Sequence, residues 1–223
     1  MEKAVTGRGG AVAAMYSGIR FRSTLEARWA HVFDVLGWDW DYEPAQYPVC
    51  DGHGYVPDIY VVDYGWVEVK AAPFLTPGSV SKIAAGAGGP RPLPSRAAPY
   101  TAPGTVLLLG DVPRPRSGRR PVHTLIMADS PGRVGVWRCV LGGSGVPVLV
   151  DAQPYRYLDA SGKVGRGLTM DAREAMCNPA AVEGSTPDDV QRAYESARSL
   201  KVVGPHGRTR PKTVSGRWGG RSL

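Results

Sequence analysis

The sequence predicts an α/β fold with a core in the order helix, three-strand meander, helix, strand, followed by a basic extension that is mostly β or irregular. Three observations lead to this prediction. Apolar residues recur at helical spacing between Ser23 and Leu36, and Gly37 follows as a stop signal. Short segments rich in valine, tyrosine and tryptophan come next, separated by glycine, aspartate and proline. A continuous apolar run at 105–109 is typical of a buried strand.

Each core element is predicted from its own local pattern. The three segments of the meander are short and rich in residues that favour strands, and a loop rich in glycine and proline precedes the last strand. In order, the predicted core elements are a helix at 23–36, strands at 38–43, 55–62 and 64–70, a helix at 77–85, a loop at 86–104 and a strand at 105–109.

The extension after the core is predicted to contain short strands and one helix. The helix has Thr186 as its expected N-cap and two aspartates in its first turn. The predicted strands and helix lie at 123–127, 134–140, 146–150 and 187–200. This pattern divides the chain into a flexible N-terminus at 1–14, a core at 15–112, an extension at 113–200 and a basic disordered tail at 201–223.

The composition excludes several classes of protein. The three cysteines are too few and too scattered for a disulfide scaffold or a four-cysteine zinc site. No stretch of 18 consecutive apolar residues is present, and the apolar run near the N-terminus is too short for a signal peptide. We therefore expect a soluble cytoplasmic protein that does not enter a membrane.

The positive charge of the chain is concentrated in its second half. The chain has 27 lysines and arginines against 20 acidic residues, a net charge of +7. Residues 1–110 are nearly neutral, and the excess lies among prolines after residue 113 and in the tail. Clustered arginines are what a nucleic-acid backbone requires, although GC-rich coding would also enrich arginine. The candidate nucleic-acid-binding residues are Arg114, Arg116, Arg119, Arg120, Arg208, Arg210, Lys212 and Arg217.

Three polar side chains on the second and third strands of the meander are candidates for chemistry. Glu68 and Lys70 are two residues apart and so share one face of a strand. Asp58 lies ten residues before Glu68, and an antiparallel hairpin of that length can bring the two carboxylates side by side. Such a pair repels unless a proton or a cation lies between its members. Oxygen ligands suit Mg²⁺, while an exposed Glu–Lys pair on a surface hairpin is the alternative.

With these residues the chain resembles the PD-(D/E)XK nuclease superfamily. Pro57-Asp58 and Glu68-Val69-Lys70 match the two motifs after which the superfamily is named. The upstream stretches at 21–30, 36–37 and 42–44 look like those of small phage and actinobacterial members. They are also similar to the catalytic domain of TnsA-type transposon-end endonucleases.

The resemblance covers about residues 16–110 and implies a restriction-endonuclease-like core. It further implies Mg²⁺-dependent hydrolysis of phosphodiester bonds in DNA, with Mn²⁺ expected to substitute. Asp58 and Glu68 would ligate the metal, Lys70 would serve the attacking water, and Glu26 would add a carboxylate from the first helix.

Glu26 has a second interpretation. Ser23 and Glu26 form the spacing of a capping box, in which the glutamate only completes the hydrogen bonds of the first turn. On a helical wheel Glu26 lies at the edge of the buried face, from which it could also reach a site on the sheet. The sequence leaves both interpretations open.

Three functions follow as hypotheses. The first is a metal-dependent DNA endonuclease, acting as a homodimer or in two successive events if both strands are cut. The second is a nuclease-derived module that binds DNA or a partner protein without cutting. The third is a TnsA-like strand-cleaving subunit that works with a recombinase or another phage or mobile-element protein.

Overall fold

The computed structural model describes residues 12–50, 53–94, 104–160 and 169–202. Within these ranges the chain forms four α-helices and a mostly antiparallel central sheet, which confirms the α/β class. The elements are β1 (Ala14–Tyr16), β2 (Ile19–Phe21), α1 (Thr24–Leu36), β3 (Trp40–Tyr42), β4 (Tyr47–Cys50), β5 (His53–Tyr55), β6 (Ile59–Val61), β7 (Gly65–Val69), α2 (Pro77–Gly88), β8 (Val106–Leu109), β9 (Arg119–Arg120), β10 (His123–Ser130), β11 (Arg133–Leu141), β12 (Pro147–Leu149), β13 (Arg156–Asp159), α3 (Met170–Cys177), β14 (Val182–Glu183) and α4 (Asp188–Ser199).

Eight strands form the central sheet. Its order is β12-β11-β10-β8-β7-β6-β3, and β13 pairs with the other half of β11 on the same edge as β12. Strands β7 and β8 are parallel, and the other neighbours in this sheet are antiparallel. A parallel pair needs a crossover connection, and α2 provides it between β7 and β8.

Both faces of the sheet are covered by helices. On one face α2 packs against a cluster that includes Tyr60, Trp66 and Leu108. On the other face α1 and α4 pack side by side over a cluster that includes Val67 and Leu107. Burial on both faces explains why the central strands are continuously apolar rather than alternating.

The predicted order of the core elements is observed. Helix α1, strands β3, β6 and β7, helix α2 and strand β8 occur in the order helix, three antiparallel strands, helix, strand, with the hairpin β4–β5 inserted between β3 and β6. Ser23 is the N-cap of α1, and its hydroxyl accepts a hydrogen bond from the Glu26 amide. Gly37 ends the helix at a φ of 73°, a left-handed conformation that glycine adopts without a steric penalty.

Several local details differ from the sequence prediction. The predicted strand at 55–62 is divided, because Tyr55 ends β5 and the strand that joins the central sheet starts only at Ile59. Pro57 lies in the interruption and has no N–H for a ladder hydrogen bond. The hairpins β1–β2 and β4–β5 and helix α3 were not predicted. Thr186 as a cap was wrong, since Pro187 holds the N-cap position of α4 without a side-chain hydrogen bond.

The extension continues the same sheet. Strand β10 pairs with β8 on one side and with β11 on the other, so the strands predicted after residue 113 lie beside those of the core. The predicted tail from 203 onward and residues 1–11 lie outside the described residues, and so do Arg208, Arg210, Lys212 and Arg217. In the part of the chain that is described, no helix has the length and apolar character needed to cross a membrane.

A substitution at Gly110 tests the packing at the end of β8. It is buried, and a Cβ atom there would collide with the Cys177 carbonyl and the Asn178 side chain. We expect Gly110→Ala to lower the free energy of unfolding by about 1–3 kcal/mol, the usual cost of overpacking, measured by chemical denaturation. Gly143→Ala is the matched control, since a Cβ at Gly143 meets no atom within 4 Å. Equal stability of the two variants would contradict the prediction.

Candidate active site

Asp58, Glu68 and Lys70 lie together at one end of the sheet. The pairing of Ile59 with Val67 in β6 and β7 places the preceding Asp58 opposite Glu68, and Lys70 directly follows β7. Only 3% of Asp58 and 4% of Glu68 is exposed. The hairpin places the two acids side by side, as its spacing predicted, and both carboxylates are removed from water.

Glu68 is held by one charged and one neutral donor. Lys70 Nζ lies 3.0 Å from Glu68 Oε1, and the Tyr55 hydroxyl donates a hydrogen bond of 2.8 Å to Glu68 Oε2. Burial, together with the nearby charges of Glu68 and Asp58, raises the pKa of Tyr55 well above its ordinary value. Tyr55 therefore keeps its proton and remains a donor. The sequence analysis missed this role, because a tyrosine on a strand is usually part of the core.

Asp58 is held mainly by the backbone. Its Oδ2 accepts a hydrogen bond of 2.8 Å from the Val69 amide, and its carbonyl accepts one of 2.9 Å from the Glu43 amide. Pro57 has no N–H, so the chain cannot continue the ladder with β7 at this point. In a regular strand pair a backbone carbonyl would accept the hydrogen bond from the Val69 amide. Here the Asp58 carboxylate accepts it.

The pKa of Asp58 is raised well above its ordinary value. Burial is the largest cause, the charge of Glu68 adds to it, and Glu26 adds a smaller contribution. Lys70 and the Val69 amide act in the opposite direction but do not compensate. Asp58 and Glu68 therefore oppose each other's ionisation in the protein without a cation, which is the expected behaviour of two carboxylates that share one site.

Lys70 remains accessible from solvent while its ammonium group contacts Glu68. Its side chain is 27% exposed. Burial alone would lower the pKa of Lys70, but the charges of Glu68, Asp58 and Glu26 outweigh that effect and raise it. The site therefore holds a fixed positive charge beside two buried acids.

Glu26 is held at the N-terminus of α1 by a cap, one of its two interpretations from the sequence, with the Arg22 amide and the Ser23 hydroxyl as donors. Its Oε1 accepts a hydrogen bond of 2.8 Å from the Ser23 hydroxyl. Its Oε2 accepts bonds of 3.1 Å from the Arg22 amide and 2.7 Å from the Tyr42 hydroxyl. The charge of Glu26 acts on Asp58 and Lys70. Over the described ranges, however, the structure gathers no group of three or more acidic, histidine or cysteine side chains positioned to bind a metal.

The predicted arginines fall into different settings. Arg114, Arg116 and Arg119 line a groove at the same end of the sheet as Lys70. Arg119 also donates a hydrogen bond of 2.6 Å to the Ala181 carbonyl. Arg120 donates one of 2.9 Å to the Leu141 carbonyl and does not line the groove.

Two further arginines line this groove that the sequence analysis did not identify. Arg28 comes from α1 and Arg198 from α4. Each looks like an ordinary polar residue of an amphipathic helix in the sequence. Only the packing of α1 against α4 brings them together.

No protein-family model, curated protein or solved structure matches this chain. The chemistry of the site must therefore be judged from its own donors. Two buried carboxylates on adjacent strands, one of them with a raised pKa, are a set of oxygen donors that a hard divalent cation neutralises. Asp58 and Glu68 would supply two of the oxygen ligands of such an ion.

Asp58→Asn tests the electrostatics of the pair without a metal. Because the pKa of Asp58 is raised in the folded protein, the unfolded chain loses this proton first as the pH rises above about 4. The free energy of unfolding then falls with rising pH, by at most about 1.4 kcal/mol per pH unit, until the folded protein also loses the proton. We expect Asp58→Asn to be more stable than the wild type at neutral pH, and the difference to grow from pH 4 upward.

The measurement is chemical denaturation in a chelating buffer at several pH values. Asp63→Asn is the control, because Asp63 is an exposed acid in the turn at the other end of β6 and β7. A difference between Asp58→Asn and wild type that does not vary with pH would contradict the assigned shift.

Proposed function

We propose that this protein is a Mg²⁺-dependent DNA endonuclease of the PD-(D/E)XK type. The observation that carries the proposal is the pair of buried acids, Asp58 and Glu68, with the Lys70 ammonium 3.0 Å from Glu68. An amine and two carboxylates in this arrangement suit the hydrolysis of a phosphodiester bond. An ordinary surface ion pair would not require Asp58 to be buried opposite Glu68.

The fold supports the same proposal. The order helix, three antiparallel strands, helix, strand agrees with the core that the resemblance implies, and β8 pairs in parallel with the strand that carries Glu68. Ligands of open α/β sheets bind beyond the carboxyl ends of the strands. Lys70 follows the carboxyl end of β7 and Gly110 that of β8.

Asp58 and Glu68 would hold the metal ion. When bound, Mg²⁺ would acidify a water molecule and neutralise charge on the phosphate.

The surrounding side chains would orient the reacting groups. Tyr55 fixes one oxygen of Glu68 through its hydroxyl, which restricts the rotation of the carboxylate. Lys70 would position the attacking water and offset the charge that develops on the phosphoryl oxygens. Glu26, held by its cap, would contribute negative potential from the end of α1 rather than a direct ligand.

Substitution of the three central residues tests the proposal. We expect Asp58→Ala, Glu68→Ala and Lys70→Ala each to reduce DNA cleavage by about a hundredfold or more, because each removes a donor or charge that acts on the scissile phosphate. DNA binding should remain nearly intact. The assay incubates the full chain with plasmid, branched and single-stranded DNA, in Mg²⁺ and in Mn²⁺. Asp63→Asn should cut like the wild type.

Cleavage that persists in the Asp58→Ala/Glu68→Ala double variant would reject the site. Binding without product on every substrate would favour a module that recognises DNA without cutting it. Products from RNA alone would reassign the substrate. Cleavage that requires an added recombinase would favour a strand-cleaving subunit of a recombination complex.

Metal binding can be tested independently of cleavage. A ligand that binds only the folded protein stabilises it, by about 1.4 kcal/mol at ten times its Kd. We expect Mn²⁺ and Mg²⁺ to raise the midpoint of thermal unfolding of the wild type and of Asp63→Asn. They should not raise that of the Asp58→Asn/Glu68→Gln variant. Equal stabilisation of this double variant would show that the ion binds elsewhere.

A further inference from the structure

A groove of about 830 Å³ opens at the end of the sheet where β8 terminates. Its walls come from α1, α4, the segment after β8 and the residues that follow α3. Asp111 and Val112, which follow β8, lie on its lining. The backbone joins this segment to the active site, because the Lys70 amide donates a hydrogen bond of 2.8 Å to the Leu109 carbonyl.

The lining of the groove is strongly positive. Among the described residues, five arginines contribute to it and Asp111 is the one acid. In the part of the chain that the structure describes, none of these guanidinium groups has a carboxylate within 4.0 Å. The five are Arg28, Arg114, Arg116, Arg119 and Arg198.

Arg28 carries the clearest sign of a missing partner. Its Nε is buried and has no hydrogen-bond partner among the described residues. A buried donor without an acceptor is costly, and the cost is greater for a charged group. Folding leaves this group unpaired on the wall of the groove, where an anionic ligand could supply the acceptor.

The arginines of the two helices and the loop also repel one another. Burial and the charges of Arg114 and Arg28 lower the pKa of Arg198. These groups come from α4, the segment after β8 and α1, so tertiary packing holds three like charges together. Such a concentration of like charge is stabilised when an anion neutralises it.

We propose that this groove binds the phosphate backbone of the nucleic-acid strand next to the bond that is cut, with Arg28, Arg114 and Arg198 as phosphate ligands. Guanidinium groups match phosphate oxygens in charge and in geometry. The proposal rests on the proposed function for the position of the cut. The chemistry of the groove requires only a polyanion.

A strand of nucleic acid suits the groove better than a small anion. The volume exceeds what one phosphate fills, and the arginines of the lining come from α1, α4, β9 and the segment after β8. Lys70 is connected to the groove wall through the backbone, since its amide bonds to Leu109 and the nearby Asp111 lies on the lining. A chain of phosphates that runs from Lys70 into the groove would contact both.

Binding is measured with a fluorescein-labelled DNA oligonucleotide and the full chain in the Asp58→Asn background, so that the proposed cutting does not consume the probe. We expect the Arg28→Gln/Arg198→Gln variant to bind about tenfold more weakly or worse. The slope of log affinity against log salt should fall in magnitude by about two. Arg114→Gln lies in an irregular segment, where it does not disturb a helix, and should reduce the slope by about one.

Arg156→Gln is the matched control, since Arg156 is exposed on β13 at the opposite end of the sheet and should bind like the parent. Unchanged affinity and slope in both groove variants would overturn the proposal. Polyglutamate serves as a second probe. Groove variants that lose polyglutamate binding but retain DNA binding would overturn the proposal as well, because the groove would then bind an acidic peptide and not nucleic acid. Cleavage is assayed separately, with the chain in which Asp58 is intact. If the groove binds DNA but this chain does not cut it, only the proposed function is refuted.

Discussion

The parallel pairing of β7 with β8 is the constraint on which the rest of the structure depends. It aligns the carboxyl ends of the two strands, so that Lys70 and Asp111 emerge at the same edge of the sheet. It also requires α2 to cross over one face, which leaves the other face to α1 and α4. This one pairing places Lys70 of the candidate site and Asp111 of the groove lining at one edge of the sheet.

The buried acids are tolerated because each has a specific compensation. Glu68 receives a hydroxyl and an ammonium group, and Asp58 receives the amide of Val69. An isolated buried carboxylate would be far more costly. The compensation is incomplete, as the raised pKa of Asp58 indicates, and it is this residual imbalance that suits a cation.

The central elements could be predicted because their signals are local. The period of α1, its Ser23 cap and Gly37 stop, and the hairpin spacing between Asp58 and Glu68 depend on residues close in sequence. The Ser23–Glu26 cap was predicted as one of two alternatives, and its geometry depends on a single helical turn. Identification of the α/β class needed little more than these patterns.

The remaining features depend on contacts between distant segments. The hydrogen bond from Tyr55 to Glu68 requires β5 to fold back over the sheet, and nothing in the local pattern of β5 indicates it. Arg28 and Arg198 are 170 residues apart and meet only through the packing of two helices. The N-cap of α4 is Pro187 and not the predicted Thr186. Local propensity does not determine which of two adjacent residues begins the helix.

The pairing of β8 with β10 has a consequence for how this chain could have arisen and how it can be divided. The predicted boundary after residue 112 falls between two strands that are neighbours in one sheet. A fragment that stopped there would present the apolar strand Val106–Leu109 as a bare edge, which invites association between copies. The two halves are therefore expected to be inherited, expressed and folded together, and not to be exchanged as separate modules.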